Sequence, residues 1–214
     1  MDWGFILHHL TSGVLPVAAA LALYFILLRM LGKKPGAGHT VISFVFCFYL
    51  IGILTMTGVC LRGSFSPRIV CIPFADMIRG PVDMVLNILL FVPMGVFLPL
   101  LYREFDRLRR IALAGFLVSF SVEAAQMFGS GATDINDLIT NTLGACLGYG
   151  LYKSLHRAIP KARIEKTRIE GPLCFLEPLL FWGGSLLCML TVQIPIFHAL
   201  FAGRMAGGEL QLWK

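Results

Sequence analysis

Six apolar runs, each long enough or nearly so to cross a hydrocarbon core roughly 30 Å thick, leave this chain little choice of fold. They cover residues 13–31, 41–61, 82–102, 111–128, 137–155 and 173–201. Backbone in lipid must satisfy its own N–H and C=O groups, so spans of this length are helices. With 57% hydrophobic and 14% charged residues, the sequence predicts an all-α polytopic bundle of about six transmembrane helices in a single domain, 1–214. The fifth run is the least apolar, because Asp137, Thr140, Asn141 and Thr142 fill its first turns. Pro178 and Pro195 trim or bend the last. No basic stretch precedes the first run, so a cleaved signal peptide is not expected.

The net charge of +6 is informative by position rather than by total. Arg29, Lys33 and Lys34 follow the first run; Arg103, Arg107, Arg109 and Arg110 follow the third; Lys153, Arg157, Lys161, Arg163, Lys166 and Arg168 follow the fifth. The other side carries only Arg62, Arg68, Arg79, Arg204 and Lys214. That excess marks the cytoplasmic face and predicts that both termini are extracytoplasmic. No basic stripe interleaved with aromatics lies on a soluble face, so nucleic acid is excluded as a partner and membrane lipids are expected.

The cysteines form neither a CxxC nor a zinc spacing, and no metal or cofactor is expected. Cys47, Cys146 and Cys188 read as packing residues; Cys60 and Cys71, both on the outer side, are open to bridging in an oxidising setting. His8, His9 and His198 also fall on that side, without the spacing of a metal site. Glu177, near the inner end of the sixth span, is expected to stay solvated. Gly144 and Gly148 predict close helix packing, and Pro93 with Gly95 a bend in the third span.

Ionisable and amide groups at membrane depth are costly and mark function. Asp83 and Asn87, then Ser119, Glu123 and Gln126, then Asp134, Asp137 and Asn141 fall at the same end of the third, fourth and fifth spans. At about 1.5 Å per residue, Asn87, Glu123 and Asn141 each lie about 6–9 Å from that end. Their i,i+3 and i,i+4 spacings place them on shared faces, so one patch in the outer part of the bundle can collect them. Arg79, at the same end, is a candidate to neutralise Glu123 or Asp83, which would make the set a structural ion-pair network. Asp137 and Asp134 also suit the capping and turning of the fifth helix.

Taken in order, these residues resemble the VanZ-like family of bacterial membrane proteins. Ile72-Pro73-Phe74 is similar to an outer-loop element of that family. Asn87 with Phe91, Pro93 and Gly95 resembles its Asn-…-Phe-x-Pro-x-Gly helix. Ser119 or Ser121, with Glu123 and Gln126, resembles its Ser-…-Glu-x-x-Gln element. Asp134, Asp137, Asn141, Gly144 and Gly148 look like its most characteristic stretch. The resemblance covers about 70–152. Asn136 stands where many members carry a second acid, and Gly131-Ala132 where a basic residue is frequent. The resemblance implies a multi-pass protein of the bacterial cell membrane linked to reduced susceptibility to teicoplanin, a glycopeptide with a lipid tail.

Two functions of different class follow. One is a non-enzymatic factor that binds an amphiphile, either the lipoglycopeptide or the lipid-linked wall precursor it targets, at the outer leaflet. Its pocket would be Asp83, Asn87, Ser119, Glu123, Gln126, Asp134, Asp137 and Asn141, with Arg79 above. The other is an intramembrane enzyme running on carboxylates, with Glu123 as general acid or base and Asp137 as its partner or as a Mg²⁺ ligand. A small transporter is a third class, disfavoured because the polar groups gather on one side.

Overall fold

The computed structural model describes residues 3–33, 35–59, 69–70, 81–127, 133–160 and 164–191, with backbone alone described at 3–10, 69–70, 81 and 133. Among these residues six long helices carry the chain: α1 (Trp3–Met30), α2 (Ala37–Met56), α3 (Pro81–Leu101), α4 (Leu108–Gln126), α5 (Ile135–Ala158) and α6 (Leu173–Thr191). Four of them hold windows long and apolar enough to cross a membrane: Thr11–Met30, Ala37–Met56, Val82–Leu101 and Leu173–Thr191. The chain is a membrane protein. Among the described residues the departures from helix include a two-residue parallel ladder, β1 (Ile69–Val70) on β2 (Thr133–Asp134), and a single bridge between Tyr102 and Ile169.

Helices α4 and α5 have the length of spans but not the apolarity, and their burial pattern gives the reason. Along α5, Ile135, Ile139, Leu143, Leu147, Leu151 and Leu155 form an exposed stripe at every fourth residue. Its buried face is Asn136, Thr140, Asn141, Gly144, Ala145 and Gly148. Large apolar side chains therefore face outward and polar or small ones inward, the arrangement of a helix whose solvent is lipid.

The helices form two groups. In the first, α1, α2 and α6 contact one another through Val17, Leu21, Phe25, Phe46, Leu50, Ile51 and Phe181. In the second, α4 and α5 pack together and α5 makes its most extensive contact with α3, where backbone meets backbone. A Cβ on Gly148 would stand 1.9 Å from the Val92 carbonyl oxygen, and one on Gly144 2.3 Å from that of Ile88. From the other side, a Cβ on Gly95 would stand 2.0 Å from the Ala145 carbonyl oxygen. Gly95, read from sequence as part of a bend, is thus a contact position on a helix that runs unbroken through Pro93 and Pro99.

At the basic end, the segment after α5 returns to cap α3. The last carbonyls of a helix lack intrahelical donors. Here Leu98 accepts from the Tyr102 N–H, Pro99 from Arg168 Nε at 2.9 Å, Leu100 from the Thr167 hydroxyl at 3.0 Å and Leu101 from the Ile169 N–H at 3.0 Å. Arg168, buried to 5% exposure, also pairs with Asp106 at 3.1 Å, which Lys153 and Tyr149 contact as well. Burial alone would raise the Asp106 carboxyl, yet hydrogen bonds from Lys153 and Arg168 hold it below its ordinary value.

A depressed pKa contributes stability that is complete above the unfolded value, about 4, and is lost as pH falls from there through the lower folded value. Asp106→Asn, which removes the carboxylate shared by Arg168 and Lys153, should cost about 1–2 kcal/mol at neutral pH. In detergent melts the gap from wild type should hold above about pH 4 and narrow steadily as pH falls below it; a gap unchanged from about pH 7 to about pH 3 would refute this role.

Glu177 departs from expectation. It is wholly buried, 3.0 Å from His39 Nε2. It lies in the second turn of α6, where the capping segment and the start of α2 cover it instead of leaving it at the surface.

Candidate functional site

The end of the bundle opposite Asp106 brings three helices together through polar side chains. Asp134 caps α5: its Oδ1 accepts from the Asn136 backbone N–H at 2.8 Å and from the Asn136 amide at 2.9 Å. An acid at position 136 would set two negative groups at that distance, so the asparagine here is a donor that the cap uses. The Asp134 backbone N–H in turn donates to Glu123 Oε2 at 2.9 Å, joining α4 to the entry of α5. Glu123 is 2% exposed.

One turn deeper, the Asn141 amide donates to Ser119 Oγ at 2.9 Å, and that hydroxyl reaches the Asp137 carbonyl at 3.4 Å. The Asp137 carboxylate accepts from the Asn87 amide at 2.7 Å, which ties α3 into the same assembly. The Thr140 hydroxyl, 2.9 Å from the Asn136 carbonyl and 3.3 Å from the Asp137 carbonyl, links the two groups, so Asn87, Ser119, Glu123, Asp134, Asp137 and Asn141 belong to one connected set. Its chemistry is acceptor-rich, with three carboxyls, and among the described residues the buried Asn141 Oδ1 has no partner. Beside it runs outward apolar surface, with Phe116 stacked on Phe120 along α4 and Ile135 and Ile139 on α5.

Three sequence-predicted residues stand apart. Asp83 is exposed at the rim, near enough to Asp137 for their charges to repel but with no hydrogen bond to it. Gln126 turns to α2, donating to the Thr57 carbonyl at 2.8 Å. Arg79 lies outside the described residues, as do Arg62, Arg68, Cys60, Cys71, His198 and the 72–74 element. Ser121, the alternative to Ser119 in the motif, faces α6 instead and accepts from Trp182 Nε1 at 2.9 Å. What sequence reasoning missed is the ladder: Val70 pairs with Asp134, so the loop entering α3 passes directly against the residue that caps α5 and donates to Glu123.

Among the described residues no three His, Cys, Asp or Glu side chains converge closely enough to hold a metal ion. The carboxyls are spread along hydrogen bonds with amides between them, which fits recognition of donors better than chelation.

The family model described as VanZ/LLP1 matches residues 17–156, which contain every residue of this set. The chain belongs to the VanZ/LLP1 family. Protein VanZ of Enterococcus faecium is 32% identical over 105 residues, covering 49% of this chain and 65% of that protein. The match thus spans just under two thirds of the relative's own length. No solved structure matches. The VanZ/LLP1 match starts inside α1 and ends near the close of α5, so the Glu123 assembly lies within the family region and α6 outside it.

Proposed function

We propose that this VanZ/LLP1 protein binds an amphiphile at the extracytoplasmic leaflet of the bacterial cell membrane and thereby lowers susceptibility to teicoplanin-type lipoglycopeptides. The single observation that carries the reading is the buried acceptor-rich set in which Glu123, Asp137 and Asn141 are held by neighbours from three helices. Such a set suits a ligand that brings hydroxyl and amide donors, and the outward apolar faces of α4 and α5 suit the chain attached to it. Lipoglycopeptides and lipid-linked wall precursors both combine sugar and peptide donors with a long apolar chain. The excess of basic residues at the opposite end supports placing the Glu123 end outside.

A radiolabelled lipid-linked wall precursor and a labelled lipoglycopeptide, each presented to the purified protein in nanodiscs, test this. Saturable binding of one of them, weakened about ten-fold or more in Asn87→Leu, is expected. Conversion of the precursor to a new product would replace the reading with the enzymatic one, and absence of binding by either would overturn it.

A further inference from the structure

A second polar assembly lies at the basic end, well away from Glu123. His39 sits in the first turn of α2, with Nδ1 2.9 Å from the Thr167 carbonyl and Nε2 3.0 Å from Glu177 Oε2. A carbonyl only accepts, so Nδ1 carries the hydrogen and Nε2 faces the carboxyl. Both side chains are 1% exposed. The other carboxyl oxygen, Glu177 Oε1, has no partner among the described residues. The hydroxyls of Tyr24 and Tyr102 lean toward the same carboxyl without closing a well-formed hydrogen bond, and they too are buried. Two hydroxyls face the one free carboxyl oxygen without a well-aligned bond, which leaves that oxygen able to take a better-placed donor.

A cavity of about 540 Å³ adjoins this group. His39 and Glu177 form its polar side, Leu28, Leu173 and Leu176 its apolar walls, Lys33 its cation, and Glu170, an acid already paired with Arg103, its outer rim. Lys33 is exposed and has no ion-pair partner among the described residues. His39 lies two residues inside α2 and Glu177 four residues inside α6, within about 6 Å of the helix ends at 1.5 Å per residue. That is headgroup depth. The arrangement is dipolar, with a buried carboxyl oxygen to accept from a cation, an exposed ammonium to meet an anion, and leucines beside both.

We propose that this cavity binds the headgroup of an aminophospholipid, its primary ammonium donating to Glu177 and its phosphate meeting Lys33. A quaternary ammonium has no N–H to donate, so phosphatidylcholine, with the same phosphate, should be a poor substitute. This site is independent of Glu123, and its success or failure leaves the amphiphile reading untouched.

Binding of dioctanoyl phosphatidylethanolamine, phosphatidylcholine and phosphatidylglycerol to the purified full-length protein, followed by native mass spectrometry, tests it. The ethanolamine lipid should bind about ten-fold tighter than the choline lipid, as expected for one charge-assisted hydrogen bond. Glu177→Gln should narrow that preference to about two-fold, and Lys33→Gln should weaken both lipids about five-fold with an unchanged melting temperature. Equal binding of the ethanolamine and choline lipids, tighter binding of phosphatidylglycerol, or indifference to Lys33→Gln would each overturn the proposal. Should Glu177→Gln fail to fold, the headgroup comparison on the wild type and the Lys33→Gln result still decide it.

Discussion

Gly148→Ala should cost about 2–4 kcal/mol, enough for much of the protein to be lost in membranes. The added methyl would sit 1.9 Å from the Val92 carbonyl oxygen and 2.9 Å from its carbon. Nothing there can move by a side-chain rotation, because the obstacles are backbone atoms of α3; relief requires pushing the helices apart. Separation would also break the Asn87 to Asp137 hydrogen bond between the same two helices. Gly150, two residues on, supplies the control. A Cβ there meets nothing within 4 Å, so Gly150→Ala should be neutral or gain up to about 1 kcal/mol from helix propensity. Thermal exposure of the buried Cys47 thiol to a fluorogenic maleimide reads both variants. Equal melting curves for the two alanines would show that the contact is looser than described.

That contrast illustrates what the sequence could and could not reveal. The glycine pair at 144 and 148 announced a close approach, but spacing does not name the opposite helix, and Gly95 read as a bend because Pro93 lies beside it. The six helices were legible, and four of them read as spans because a run of some eighteen apolar residues has few other fates. Ends were placed less well: the first run was taken from residue 13, whereas α1 begins at Trp3.

Within the site, helical spacing gathered Asn87, Ser119, Glu123, Asp137 and Asn141 onto facing surfaces. It misassigned Gln126, whose i,i+3 offset from Glu123 permits a shared face but whose amide finds a carbonyl at the end of α2. The His39–Glu177 pair escaped altogether. Its partners are 138 residues apart, and only the closing of the 164–171 segment over them brings about the burial. A signal was present nonetheless, since an acid in the second turn of an apolar span must find a partner or reach solvent.

On the proposed reading, Glu123→Gln should abolish a contribution to lipoglycopeptide resistance while leaving the protein folded and abundant. Glutamine keeps the side-chain length and an acceptor oxygen, so the 2.9 Å hydrogen bond from the Asp134 N–H survives and α5 keeps its attachment to α4. What disappears is the carboxyl itself, and with it the strongest acceptor available to a donor-bearing ligand. Glu123→Ala is the harsher change. It strands the Asp134 N–H in a buried position at a cost of about 1–3 kcal/mol, and should lower both abundance and resistance.

Susceptibility to teicoplanin, measured in a sensitive host expressing each variant at matched levels, separates site chemistry from fold. The Gln variant should fall to the level of the empty vector, with membrane lipid composition unchanged. Full resistance from the Gln variant would mean that Glu123 serves only to hold Asp134, and the set would then be a structural clasp between α4 and α5. Resistance lost together with an altered lipid profile would instead point to the carboxyl as an acid or base acting on a lipid. The charge at position 123 is therefore the quantity on which the binding, structural and catalytic readings of this end of the bundle diverge.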